Sequence, residues 1–462
     1  MCMKIKLVGC SLIASMALTV SGTAFAKVSA EEAARLGQDL TPNGAEMAGN
    51  AEGTIPAYTG GIGFVAAEKS LDERGFALNP FAGDQVAFSI TPANLEKYAS
   101  NLSEGQIAML KQYPDSYRLD VYQTRRSFSQ PAWVYENTAD NAVRAYMTDD
   151  RLGTRDAFGG TPFPITDVAE EIMTNHVLRY VAGQLESVGL GAGVKYPGQD
   201  VIMAGTSNYK SIIPYYDKDG SIESFDPSMV QANLYQFEEP ARRKGEVLLV
   251  SGPLDTSEAD LSAWMYMPGQ RRVRRSPSVG YDNPNPATGG NNFYDENHLF
   301  SGKLDRFDWK TVGKQEMYVP YNNYDAVDRP VDELAADYHL NPDLIRWELH
   351  RVWVVEATLK DGKRHAYSKR VFYIDEDSWA VMLSDSYDSR GELWRTGVST
   401  SYTFPHIPSF VTRVKAFYDL QKSDYGIDGV VANDNVSYKL SEERTMDFKQ
   451  FTPEEVRRLG RR

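Results

Sequence analysis

The side chains that could do chemistry here are few and badly spaced for it. Six histidines occur, His176, His298, His339, His350, His365 and His406. No two share a helical i, i+4 spacing, and neither His-x-His nor His-Glu-x-x-His is present. A ligand set of the usual spacing is therefore missing, and neither a metal site nor a cofactor is expected. There is no Gly-x-Ser-x-Gly, and no Ser-x-x-Lys stands in a suitable context for an activated serine. Adjacent acids, Asp149-Asp150, Glu170-Glu171 and Asp375-Glu376, fall in predicted turns and helix starts, where solvated carboxylates are expected. Gly60–Gly63 and Gly189–Gly193 are glycine-rich without a phosphate-binding fingerprint, and are expected to be flexible joints. Asp217-Lys-Asp-Gly220 resembles part of a calcium loop but lacks the closing glutamate, so a hairpin turn is expected. These spacings argue against an enzyme.

A different pattern stands out at Trp264-Met-Tyr-Met-Pro-Gly-Gln-Arg-Arg-Val-Arg-Arg275. Its first half is apolar on both alternating faces: Met265 and Met267 on one, Trp264 and Tyr266 on the other. A strand apolar on both sides must be covered on both, by protein or by ligand. Pro268-Gly269 breaks it, and Arg271, Arg272, Arg274 and Arg275 follow. That run is either a solvated strand face or a local docking patch for an anionic partner. Other aromatics fall on predicted strands, among them Trp347, Trp353, Phe372, Trp379 and Trp394. Each alone reads as core. As a group they suggest a curved sheet lined with aromatics, closed by helices around an apolar ligand. Methionines would give such a lining adaptable shape.

The elements that would position these residues come in a clear order. Thr41 to Gly63 is rich in Gly, Pro and Asn, with Ile55, Tyr58, Ile62 and Phe64 as anchors, and reads as an extended arm. Helices are expected from Thr91-Pro92, from the capping box Ser103-Glu-Gly-Gln106, over Pro131–Tyr146, and over Val168–Val181 with Asp167 as cap. From Asp200 onward strands predominate. Four of them, Trp347–Leu359, His365–Ile374, Trp379–Tyr387 and Glu392–Ser401, are joined by tight polar turns as an antiparallel meander. Thr412–Leu420 continues the sheet, and Thr452-Pro-Glu-Glu455 opens a last short helix. The expected class is α+β, a large antiparallel sheet with helices gathered on one face.

The N-terminus reads as a secretory leader. Lys4 and Lys6 precede an apolar Leu12–Val20, and Ala24-Phe-Ala26 fits a cleavage site. Cleavage there removes Cys2 and Cys10, the only two cysteines, and takes the net charge from −14 to −16. A cysteine-free exported chain suits an oxidising periplasm. So acidic a chain is a poor partner for nucleic acid or for a broad anionic surface. The expected division is a leader at 1–26, an arm at 27–90 packing on the body, and one domain at 91–462.

The Trp264–Arg275 stretch resembles a strand pair of the LolA/LolB-like outer-membrane lipoprotein-sorting superfamily. The likeness extends to one periplasmic family of unknown function within it. It is carried by Leu36-Gly-Gln-Asp-Leu-Thr-Pro-Asn-Gly44, Gly53-Thr-Ile-Pro56, Gly159-Gly-Thr-Pro-Phe-Pro164, Tyr318-Val-Pro-Tyr-Asn322, His350-Arg-Val-Trp-Val-Val-Glu356 and Leu393-Trp-Arg395. The resemblance implies a half-open antiparallel barrel whose concave face is roofed by helices. It also implies a periplasmic carrier or adaptor for a hydrophobic or lipid-like molecule, working with an RND-type inner-membrane transporter and an outer-membrane protein. Ligand contacts are expected from Trp264, Met265, Tyr266, Met267, Trp353, Phe372 and Trp394, and partner docking from the four arginines. A structural adaptor without ligand and an envelope hydrolase are the competing readings.

Overall fold

The computed structural model describes residues 28–276 and 281–461, so the expected leader lies outside the described residues. The arm begins with α1 (Ala30–Ala33) and α2 (Ala67–Ser70), and reaches the first short strand, β1 (Phe88–Ile90). The body pins it at several points, with Ile55 and Tyr58 buried, whereas Phe64, expected as an anchor, is exposed. Arg126 donates to the carbonyls of Glu46, Met47 and Pro56, and Arg351 to that of Ala48. The Trp379 indole donates to the Asn43 carbonyl at 3.0 Å.

The helical part follows: α3 (Leu95–Tyr98), α4 (Glu104–Gln112), β2 (Leu119–Val121), α5 (Ala132–Arg144), the small hairpin β3 (Tyr146–Met147) and β4 (Thr154–Arg155), and α6 (Ala169–Val177). The Ser103 capping box forms as spaced, its hydroxyl accepting from Gln106 N and its own N–H donating to the Gln106 side chain. Between α4 and α5 only Leu119–Val121 is strand, although the stretch from Tyr117 to Phe128 alternates in sequence. The helix read at Val168–Val181 is shorter too, with Val168 rather than Asp167 in the cap position and no side-chain cap.

The sheet is assembled from β5 (Gln184–Lys195), β6 (Ile202–Ile212), β7 (Gln231–Glu239), β8 (Val247–Gly252), β9 (Ser262–Met267), β10 (Arg272–Arg275) and β11 (Phe307–Pro320). After the short helices α7 (Tyr324–Val327) and α8 (Val331–Leu334) come β12 (Arg346–Leu359), β13 (Lys369–Asp375), β14 (Val381–Tyr387), β15 (Leu393–Phe404), β16 (Ser409–Asp419), β17 (Tyr425–Val431) and β18 (Ser437–Ser441). The chain closes with α9 (Pro453–Gly460). Sixteen strands form one sheet, in the order β1-β2-β12-β13-β14-β15-β16-β17-β5-β6-β7-β8-β9-β10, with β11 on β12 and β18 on β5. All pairs in it are antiparallel except β2 with β12. The sheet is curved and half open, the α+β architecture expected.

Two sequence expectations fail here. Gly189–Gly193 is not a joint but part of β5, which carries β6 on one side and both β17 and β18 on the other. Glycine is required there by close approach: a Cβ on Gly191 would lie 2.7 Å from the Gly205 carbonyl oxygen. Asp217–Gly220 does not join paired strands directly. A 3₁₀ turn, Pro214–Tyr216, precedes it, and β7 starts only at Gln231.

Burial separates the sheet into regions. In β12–β16 alternate residues fill two cores on opposite faces. Val352, Val354, Tyr373 and Leu383 pack with α4 on one side; Val355, Phe372, Ile374 and Val381 pack with α6 on the other. A third core lies under α9, where Ala232, Leu234, Val247, Leu249 and Tyr266 meet Val456. Helices thus cover both faces of the central strands. Strands β7–β10 are covered by α9 on one face and are half-buried on the other.

Candidate ligand cleft

The cleft lies on the face of β7 and β8 that α9 does not cover. Alternation aims Leu248 and Val250 away from the α9 core, while Val247 and Leu249 face it. Asn233 and Gln231 stand beside Val250 and Gly252 in register. A Cβ on Gly252 would sit 2.5 Å from Leu261 Cδ2, so the glycine is what lets Leu261 close against the strand. The opposite wall is the end of α6, Val177 and Leu178, with Tyr281 and the 301–303 segment. Together they enclose about 170 Å³ with a mostly apolar lining, open to solvent. Such a concave, apolar site with a few polar groups is the usual form of a small-molecule pocket.

Buried polar contacts hold the walls. His176 of α6 accepts from Val381 N through Nδ1 at 3.0 Å and, with Nε2–H, donates to the Phe300 carbonyl at 3.0 Å. That pairing needs neutral imidazole, and burial holds the His176 pKa well below its ordinary value, as does the nearby Arg179 guanidinium. Arg179 donates to the His176 carbonyl and to Thr412 Oγ1. Among the described residues no acid hydrogen-bonds to it, and burial lowers its pKa to about 10. On the rim, burial and the Asp305 carboxylate push the Tyr281 phenol up to about 12, so it stays a neutral donor. Lys303 is matched by Asp260 at 2.8 Å.

The sequence-designated ligand residues do not gather around this cleft. Met265 and Met267 lie on its face of the sheet, half-buried, Met265 directly opposite Leu248. Trp264 and Tyr266 point the other way, into the core under α9, where a Cβ on Gly460 would come within 2.0 Å of the Tyr266 ring. Trp353 is half-buried on β12, with the Lys314 ammonium 4.8 Å over its ring. Phe372 is buried between Phe300 and Trp309, at 5.5 and 5.9 Å. Trp394 stacks with Arg395 and donates to Asp419 at 3.0 Å. The four arginines are exposed, Arg272, Arg274 and Arg275 on β10 and Arg271 in the turn before it. The residues that do line the cleft were unmarked by spacing, since a wall built from a helix end, a strand and distant loops has no sequence signature. One signal was available. Val247-Leu-Leu-Val250 is apolar on both faces, like Trp264–Met267.

A second constellation is buried in the centre. Asp375, Glu376 and Asp377, read as a solvated turn, are all buried. The correction has a physical cause: the arm covers this turn, Asn43 donating to the Asp377 carbonyl, while the body brings cations to it. Arg126 grips both oxygens of Asp377, at 2.7 and 3.0 Å. Lys314 and Arg351 meet Glu376 at 2.8 and 3.2 Å. Arg346 meets Glu348 at 2.6 Å. His350, Asp375 and Asp377 lie close enough together to be considered as metal ligands. Asp377, however, already spends both oxygens on Arg126, and the cluster reads as a compensated ion-pair core. Burial, with the Asp377 charge beside it, pushes Asp375 up to about 7.

Comparison with known proteins agrees with the resemblance seen in the sequence. The profile of a family described as a protein of unknown function, DUF1329, matches residues 89–457. The uncharacterized protein PA3922 of Pseudomonas aeruginosa is 38% identical over 456 residues, covering 96% of this chain and 97% of its own. Among solved structures, a DUF1329 family protein from Desulfovibrio piger aligns with 62% of this chain and 95% of its own, at 16% identity and a TM-score of 0.39. The LolA superfamily protein NE2245 from Nitrosomonas europaea aligns with 62% and 97%, at 12% identity and a TM-score of 0.34. At those scores the architecture rests on the strand order itself.

Proposed function

This chain belongs to the DUF1329 family, and on that premise we propose that it is a non-enzymatic periplasmic protein that binds and transfers a hydrophobic, lipid-like ligand between an RND-type inner-membrane transporter and the outer membrane. The observation that carries this reading is the open, mostly apolar cleft between β7–β8 and the end of α6, continued along the sheet by half-buried Tyr235, Leu248, Met265 and Met267. Uncovered apolar surface of this kind marks an interaction or ligand site in an otherwise charged exterior. Among the described residues no helix is long and apolar enough to cross a membrane.

The test is direct. Purified, delipidated protein is mixed with envelope lipid extract and examined by native mass spectrometry, with displacement of a fluorescent fatty-acid probe as the second readout. Bound lipid is expected, together with loss of probe binding in Val250→Trp, whose indole would extend into the cleft that Val250 lines. Absence of both lipid and probe binding in the native protein ends the carrier reading.

A structural adaptor is the second reading. It is favoured by the centre of the sheet, where Phe372, Trp379 and their neighbours fill both faces with the protein's own side chains. In-cell crosslinking from Arg272 to a stoichiometric partner, with no extractable ligand, is the result that would establish it.

A further inference from the structure

The cleft is continuous with positive charge at one end only. From Val250 the same face of the sheet runs to Leu248 on β8, across to Met265 on β9, and across again to Arg274 on β10. One step further along, Met267 stands opposite Arg272. Neighbouring strands are about 4.8 Å apart, so Arg274 lies on the order of 10 Å from Leu248. Arg272 and Arg274 are exposed, and no ion pair is formed by either among the described residues. Trp264 and Tyr266, by contrast, turn to the α9 face. At the opposite end of the cleft Lys303 is neutralised by Asp260. The apolar strip therefore leads from an open cavity to two unmatched guanidinium groups, in a chain of net charge −14.

Building on the carrier reading, we infer that the ligand is an acyl-chain amphiphile with an anionic head group. Its tail lies along Leu248 and Val250 into the cavity, and its phosphate or carboxylate is bound by Arg272 and Arg274. Guanidinium suits this role because its planar fork donates in parallel to a phosphate or carboxylate. Met265 and Met267 form an adaptable floor between head and tail. The pairing is solvent-exposed, so it discriminates between head groups and weakens with salt.

The experiment compares ligands that share a tail and differ in charge, using the full mature chain. Phosphatidylglycerol, a fatty acid, phosphatidylethanolamine and an uncharged alkyl glycoside are titrated against native protein and against Arg272→Glu/Arg274→Glu. A control variant, Arg457→Glu/Arg458→Glu, reverses exposed charge on α9, across the sheet. The expected result is at least tenfold tighter binding of an anionic amphiphile than of the uncharged one, abolished by the β10 variant and by high salt and retained in the α9 variant. Preference for phosphatidylglycerol over the fatty acid assigns the head group to phosphate, and the reverse to carboxylate. Equal affinity for charged and uncharged ligands overturns the inference and leaves the carrier reading standing. So does a β10 variant that binds normally and only aggregates, because the arginines would then serve to block edge-to-edge strand pairing. Failure of every amphiphile, the uncharged one included, rejects the carrier reading as well.

Discussion

Strands β12–β16 and strands β7–β10 belong to one sheet yet have opposite surroundings. The central strands are buried on both faces, and many of their polar side chains are tied into networks. Asp385 shows how tightly: it accepts from Gly105 N at 3.1 Å, from Thr396 at 2.9 Å and from Tyr373 at 3.2 Å, joining α4 to the sheet. The outer strands have one face sealed by α9 and one left half-buried, with the cleft and unpaired arginines on it. A sheet filled on both sides has no room to accept a ligand, and a sheet filled on one side does. On the carrier reading proposed above, the centre supplies stability and the outer strands the binding surface.

Four perturbations separate these roles, beginning with the largest. Arg126→Leu leaves the buried Asp377 carboxylate without its cation and frees the arm carbonyls it holds. A loss of about 3–5 kcal/mol is expected in urea unfolding, the usual cost of breaking a buried pair. A loss below about 1 kcal/mol would mean the central network is not what holds the arm. Leu249→Ala empties a site beneath α9 and should cost about 2–4 kcal/mol. Here the decisive measurement is hydrogen exchange: protection should fall in β8–β10 and α9 while β13–β15 remain protected. Uniform loss would erase the distinction between the two regions.

The third perturbation is pH. Asp375 is held near 7 in the fold against 3.8 for the free group. Between those values the native state keeps a proton that the unfolded chain releases. The stabilising contribution is therefore complete below about pH 4 and is lost as pH rises through about 7. Asp375→Asn keeps the side chain's shape and removes its titration. It should flatten the decline in stability between pH 5 and pH 8, read from urea midpoints at the two values. An unchanged slope would place the titration elsewhere. The smallest effect belongs to Arg272→Glu/Arg274→Glu, which should leave the melting temperature within about 1 °C, as exposed substitutions usually do. A larger fall would show that the outer strands need those arginines for folding.

The legibility of this molecule in its sequence follows the same division. The central meander was readable because its apolar runs are long and its turns, Asp361-Gly362 and Asp388–Gly391, carry hairpin chemistry. Helix starts at Ser103 and Thr452 were readable because a cap is a local hydrogen bond, and both form. Strand β5 was not, since its glycines resemble a loop and their reason, Gly205 and Met203 pressing from β6, lies outside the strand itself. Burial of Asp375–Asp377 was hidden for a similar reason: the charges that compensate it come from Arg126, Lys314 and Arg351, far away in the chain. As for the designated ligand residues, the alternation that separated Met265 and Met267 from Trp264 and Tyr266 was visible. Which face would be sealed was decided by α9, nearly two hundred residues later.

Strand β5 has a consequence for how the chain reaches this state. The outer strands β5–β10 form one consecutive antiparallel run, and β12–β17 form another. Among the described residues they meet where β5 joins β17, pairing Lys195 with Tyr425, 230 positions apart. Neighbouring hairpins close quickly because the intervening loops are short, whereas a contact of that separation carries a large entropic cost before it is rewarded. The two runs are thus expected to collapse independently, and the β5–β17 seam to be the slow, late event that unites them. Until it closes, both β5 and β17 present an unpaired edge, which makes this seam the point of greatest exposure to aggregation during maturation.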